Sequence, residues 1–298
     1  MTTEHPALLL PPPPLPAPAL PPPLCSSKKK LYQTIAEGKA PIEGDHEEAR
    51  QLLTKRESSF RKDLRWVLFN KYVPSLIQDG PQCGLVALWM ASQLLKSPAE
   101  LSMERIVNVA VKRGYTAQGE IFSARDMAAL AEETCGCRAV QLTGGMNGAN
   151  IHPIIKHLAS GKPILIPYDE DFNHEPCQRR GHRAHWAVAS GILLGLQEGC
   201  LKKEEFQPDP VLPWLLLPGN SPSYPMEGIQ EAFVLAKQGK SLRYQLWALE
   251  KLAESNAQLR EIDPQRAADG SVYILPPGGV EIGLAGQVVL LHRDGLKE

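Results

Sequence analysis

The chain has 298 residues, 43% of them hydrophobic, and its 32 Lys and Arg against 33 Asp and Glu leave a net charge of −1. That apolar content suffices for a sizeable core in one large domain or two small ones, and the balanced charge excludes a general attraction to nucleic acid or membrane surfaces. Six cysteines at irregular spacing do not form a disulfide framework, no run approaches the roughly 18 apolar residues that span a bilayer, and Met1 to His5 lacks the basic start of a signal peptide, so the cytoplasm is the expected compartment.

Residues 1–44 contain Pro11 to Pro14, Pro16, Pro18 and Pro21 to Pro23. Such a segment neither pairs its backbone regularly nor buries a face, and is expected to be a disordered tail of polyproline II character, either a spacer or a ligand for an aromatic groove. Lys28 to Lys30 read as a solvated linker, and residues 45–298 as the folded domain. From Asp45 to Phe69, a polar pattern with Leu52, Leu53, Phe60, Leu64, Val67 and Leu68 predicts one or two surface helices. A turn rich in breakers, Gln78-Asp79-Gly80-Pro81-Gln82, then delivers Cys83 to the first turn of a buried helix, in which Leu85, Leu88, Trp89, Leu94 and Leu95 recur at helical spacing. Helices follow over Ser102–Arg113, ended by Gly114, over Ala124–Glu133 with Ser123 as N-cap, and over Asn150–Ala159, closed by Gly161. The period then changes, and strands are expected at Pro163–Tyr168, His185–Leu194, Phe233–Lys237, Ser271–Leu275 and Gln287–Leu291. Pro208–Pro225 reads as a long surface loop and Leu246–Asn256 as a further helix. Helices before strands is the α+β order.

At a helix N-terminus the free N–H groups and the helix dipole lower a thiol's pKa, which makes Cys83 the candidate nucleophile, with Gly84 leaving room for a substrate backbone. His185 opens a run of small and β-branched residues, where a general base would be held rigidly opposite a helix-borne nucleophile. Gln78, together with the Cys83 backbone N–H, is the candidate oxyanion donor. A third residue must orient the imidazole, and Asp209, Asn220 and Gln238 are all open candidates. Arg179, Arg180 and Arg183 would place positive charge at the mouth of a cleft for an acidic peptide. Asp169, Glu170 and Asp171 are expected to be a solvated turn rather than acid/base or metal-binding carboxylates.

His174, Cys177, His182 and His185 have a composition that suits zinc, but their spacing fits no common finger, and Cys135-Gly136-Cys137 is too tight for a Cys-x2-Cys knuckle. The expectation is therefore no metal and no cofactor, with His174 and His182 as loop residues flanking the cleft and Cys135, Cys137, Cys177 and Cys200 as ordinary small residues.

Taken together, Gln78, the Cys83-Gly84 helix start and the His185-Trp186 strand resemble the papain-like cysteine peptidases, in the compact branch that includes bacteriocin-processing peptidases. Three stretches are similar, more narrowly, to the family of peptidases that mature actin: Leu76-Ile77-Gln78-Asp79-Gly80-Pro81-Gln82-Cys83-Gly84, Arg113-Gly114-Tyr115-Thr116-Ala117-Gln118-Gly119-Glu120 and Ile166-Pro167-Tyr168-Asp169-Glu170-Asp171-Phe172-Asn173-His174-Glu175-Pro176-Cys177. That likeness runs from about Asp63 onward and includes the proline-rich start. The sequence departs from the general pattern in three ways: Gln78 precedes Cys83 by five positions rather than six, Cys83 and His185 are about 100 residues apart rather than roughly 130–150, and Leu201 stands about where the branch often carries its Asp or Asn. The resemblance implies a papain-like α+β fold, with a helical part carrying Cys83 packed on an antiparallel sheet carrying His185. It also implies an aminopeptidase that removes an acetylated Met or Cys from the acidic amino terminus of actin, and profilin as the partner of the prolines. The Gly144–Asn150 loop is the candidate for closing the non-primed side of the cleft. The alternatives are an inactive actin- and profilin-binding module, a zinc-stabilised Cys/His domain, and an acyltransferase using the same chemistry.

Overall fold

The computed structural model describes residues 47–95, 101–220 and 222–293, so the proline-rich tail, its boundary at residue 44 and Lys28 to Lys30 lie outside the described residues. The organising element is β5 (Ala184–Gln197), whose residues are all buried except at its two ends. It pairs antiparallel with β1 (Leu64–Asn70), β3 (Ile164–Glu170) and β8 (Ile229–Gln238). β3 continues to β10 (Val288–His292) and β2 (Arg138–Leu142), and also pairs with the short β4 (Pro176–Cys177); β8 pairs with β9 (Gln245–Ala248). On the other side β1 carries β7 (Leu215–Pro218), which runs parallel to it, and then β6 (Phe206–Pro208).

Strand alternation sends β5 side chains to two cores. Trp186, Val188 and Leu193 pack with α2 (Cys83–Ser92), while Ala187, Ala189 and Ile192 pack with α5 (Ile151–Ala159) and α6 (Leu249–Ala257). Every residue of α2 is buried, as expected of a helix that is apolar all round. Around it lie α1 (Glu47–Arg56), α3 (Met103–Lys112) and α4 (Ala124–Cys135), with α7 (Pro264–Ala268) and α8 (Gly279–Leu284) later in the chain. Ser102 and Ser123 cap α3 and α4 by accepting from the Arg105 and Asp126 N–H groups.

The α+β class stands, but its elements interleave instead of running helices first. The second half of Asp45–Phe69 is strand β1, because an apolar run buried on both faces has the same short-range signature as a helix segment. The Pro208–Pro225 stretch contains β7, and Leu246 belongs to β9, with the helix starting at Leu249. Ser271–Leu275 forms no strand: Val272 is 69% exposed, and β-branched residues without a neighbouring strand have nothing to pair with.

Candidate active site

Cys83 is the first residue of α2 and keeps 8% of its surface exposed. Gly84 allows the helix to come this close to β5: a Cβ there would lie 2.8 Å from Met127 Cε and 3.0 Å from Trp186 Cδ1. The space beside the sulfur expected from Gly84 is thus filled by protein. β8 stops at Gln238, opposite Ala187, so Trp186 has no strand partner on that side, and its backbone amide lies near enough to the Cys83 sulfur to favour the thiolate. That amide is the one that joins Trp186 to His185.

His185 is 3% exposed, and its ring stands edge-on to Tyr168, its cross-strand neighbour, with centroids 5.9 Å apart. Its Nε2 lies 3.0 Å from Gln238 Oε1, and that same oxygen accepts the Lys240 backbone N–H at 2.7 Å. A backbone N–H can only donate, which fixes the atom facing His185 as the amide oxygen. Nε2 must then carry the ring proton, leaving the Nδ1 lone pair free to act as a base.

The three candidates for orienting the imidazole separate cleanly. Only Gln238 meets His185. Asp209 is buried elsewhere, bound to Arg50 Nε at 2.7 Å and to the N–H groups of Val211 and Leu212. Asn220 lines a separate cavity with Arg50, Asn70 and Gly161.

Burial pushes the Cys83 thiol up; the Trp186 N–H, Arg266 and Lys240 act in the opposite direction without overcoming it. The helix-dipole expectation of a lowered thiol is corrected, because desolvation disfavours the anion more than the helix end favours it. Burial likewise brings His185 down to about 4, with Glu170 opposing and Lys240 adding to the fall. At neutral pH Cys83 rests as a thiol and His185 as a neutral imidazole.

Gln78 sits against the same corner, its backbone N–H on the Gly239 carbonyl at 2.7 Å and its side-chain Nε2 on the Gly80 carbonyl at 2.7 Å. The second Nε2 hydrogen is not used by that bond.

Of the carboxylate run that closes β3, only Asp171 opens a turn, accepting the Asn173 and Glu175 N–H groups; Asp169 and Glu170 lie on the strand. Asp169 and Glu170 are 0% and 1% exposed, which makes them the site residues that sequence patterning missed. Asp169 accepts from the backbone N–H groups of Arg179, Gly181 and Arg183 and from Gln258 Nε2, so it builds the basic loop from inside. The loop also needs backbone left of the usual range, at Arg180 with φ 62° and Gly181 with φ 97°. Arg179 and Arg183 lie over the ring of Phe172, 5.3 and 4.4 Å from its centroid, and Phe172 is 76% exposed. With Arg180, His182 and Asp263 they line a cavity of about 720 Å³. Arg180 and His182 both pair with Glu261, and His174 with Glu170. Among the described residues no group of three or more His, Cys, Asp or Glu side chains is placed to hold a metal ion. The Gly144–Asn150 loop is tied down elsewhere: Met146 packs with Ile154 and Ile155 in the core across the sheet from α2, so the loop is not placed to close the cysteine side.

A cysteine at the start of a buried helix that packs on an antiparallel-paired central strand carrying a histidine is the arrangement of a papain-like cysteine peptidase. Residues 73–193 match the family described as actin maturation protease-like, C-terminal domain. Actin maturation protease of Danio rerio is 65% identical over 90% of this chain and 88% of its own length, that of Homo sapiens 50% over 89% and 76%, and that of Drosophila melanogaster 32% over 74% and 69%. The chain belongs to the actin maturation protease family. A solved structure described as a C39-like peptidase from Bacillus anthracis overlaps 75% of this chain and 96% of its own at 14% identity and a TM-score of 0.42.

Proposed function

We propose that this chain is an aminopeptidase that removes an acetylated Met or Cys from the amino terminus of actin, with Cys83 as nucleophile and His185 as acid and base. The observation that supports this best is the fixed arrangement in which the Lys240 N–H and His185 Nε2 both donate to Gln238 Oε1, which leaves Nδ1 bare on the strand whose next residue, Trp186, has its backbone amide at the Cys83 sulfur. In this reading, Nδ1 takes the thiol proton as the sulfur bonds to the carbonyl carbon. The oxyanion is met by the Cys83 N–H, which as the first of its helix has no intrahelical partner, and by the free Nε2 hydrogen of Gln78. His185 then gives its proton to the leaving nitrogen, the C–N bond breaks, and the shortened chain departs with a new amino terminus. Water, deprotonated by His185, splits the thioester and releases the acetyl-amino acid.

The substrate comes from the relatives' name, and the loop of Arg179, Arg180 and Arg183 gives it a physical basis, since an acidic chain end would meet guanidinium groups carried on a loop whose backbone Asp169 fixes. The proline-rich start, outside the described residues, is assigned to profilin, and the protein to the cytoplasm. Acetyl-Met peptides with acidic second and third residues, incubated with wild type and Cys83→Ala, test the reading by mass. One acetylated residue should be lost with wild type only; loss with Cys83→Ala, or none with wild type, contradicts it.

A further inference from the structure

Glu170 ends β3 with its side chain 2% exposed, although four groups that carry or can take positive charge face it. Lys240 Nζ contacts Oε1, Arg183 Nη2 and His185 Nδ1 lie 3.7 and 4.0 Å from that oxygen, and His174 Nδ1 lies 3.1 Å from Oε2. Because Nε2 of His185 is committed to Gln238, the nitrogen turned toward Glu170 is the one that bears no proton at rest. A carboxylate gains nothing from a lone pair and gains much from a proton, so this contact strengthens only when Nδ1 becomes protonated.

We infer that Glu170 is a positioning residue for the peptidase reaction: it holds the His185 ring and supplies the negative charge that balances the imidazolium formed as Cys83 gives up its proton. This rests on the reading of Cys83 and His185 as nucleophile and base. Burial works to raise Glu170, but His185, Lys240 and His174 together hold it below the usual carboxylate range, so it is charged when needed. Glu170 also opposes a thiolate at Cys83, where it ranks behind Arg266 and Lys240, which favour one. The groups around His185 are Tyr168 and Glu170 from β3, His174 and Arg183 from the segments that follow it, Gln238 at the end of β8 and Lys240 just beyond it, with Cys83 of α2 at the Trp186 amide next along β5.

The test is kcat/KM against pH for the acetylated peptide, in wild type, Glu170→Gln and Lys240→Met. In Glu170→Gln the low-pH limb, which reports His185, should move further down, and the plateau should fall by about tenfold or more. In Lys240→Met the same limb should rise by about half a pH unit or more, because the imidazolium loses a repelling cation and keeps its counter-ion. Limbs that stay in place in both variants overturn the inference while leaving the nucleophile and base intact. An inactive wild type overturns both. If Glu170→Gln does not fold, the Lys240→Met limb decides alone, since Lys240 is 38% exposed and its loss leaves no buried gap.

Discussion

Removing Gln238 should matter more than its neutral amide suggests. Its oxygen is the shared acceptor for His185 Nε2 and the Lys240 N–H, so Gln238→Ala frees the imidazole to rotate and lets the wrong nitrogen carry the proton. A fall in kcat of about 10²-fold with KM little changed is expected, read from initial rates on the acetylated peptide. That Cys83 opens a buried helix and that His185 lies on a strand was legible in the sequence, because a breaker-rich turn before an apolar helix and a His-led strand are local signals. The choice among Asp209, Asn220 and Gln238 was not legible, because it depends on where β8 ends against β5. Asp169 and Glu170 were missed for a related reason: a run of acidic residues after a strand reads as solvated unless one knows that three backbone N–H groups and several cations fold over it.

At the scale of elements, the approach of α2 to β5 should be sensitive to a single methyl. Gly84→Ala places a Cβ against Met127 and Trp186 and should cost about 1–3 kcal/mol in urea unfolding, with activity falling further as the sulfur is displaced from the Trp186 N–H. The basic loop offers a separate test. Asp169→Asn keeps the shape but weakens the acceptor of four hydrogen bonds, so it should cost about 2 kcal/mol or more of stability and raise KM for acidic peptides more than for neutral ones. Equal KM changes for both peptides would remove the loop from substrate recognition. Amphipathic helices with good caps, such as α3 and α4, were legible nearly to their ends. Strands β1, β7 and β9 were not, since a short apolar run does not show whether partners await it on both sides.

Over the whole molecule, buried ionisable groups tie distant parts of the chain together and set its response to acid. Lys237 on β8 is buried and reaches Glu48 on α1 at 2.8 Å and Ser75 Oγ at 3.0 Å, with the rings of Tyr72 and Tyr244 about it, so Glu48→Ala takes a carboxylate from a buried ammonium and should cost about 3 kcal/mol by thermal or urea unfolding. His157 and His185 are both brought down to about 4, each chiefly by burial. The unfolded chain takes up these protons near pH 6.5 and the folded chain does not until about pH 4, so stability is full above pH 6.5 and drains away as pH falls between those values. The loss is about 3 kcal/mol for each histidine, and His157→Gln should remove about half of it without touching catalysis. The central claim, that His185 is the base for Cys83, is tested most directly by the rate of Cys83 alkylation by iodoacetamide against pH in wild type and His185→Gln. The wild-type rate should rise through a limb near pH 4 and hold a plateau at neutral pH, while the variant should react only as the raised thiol itself ionises; superimposable profiles would contradict the account.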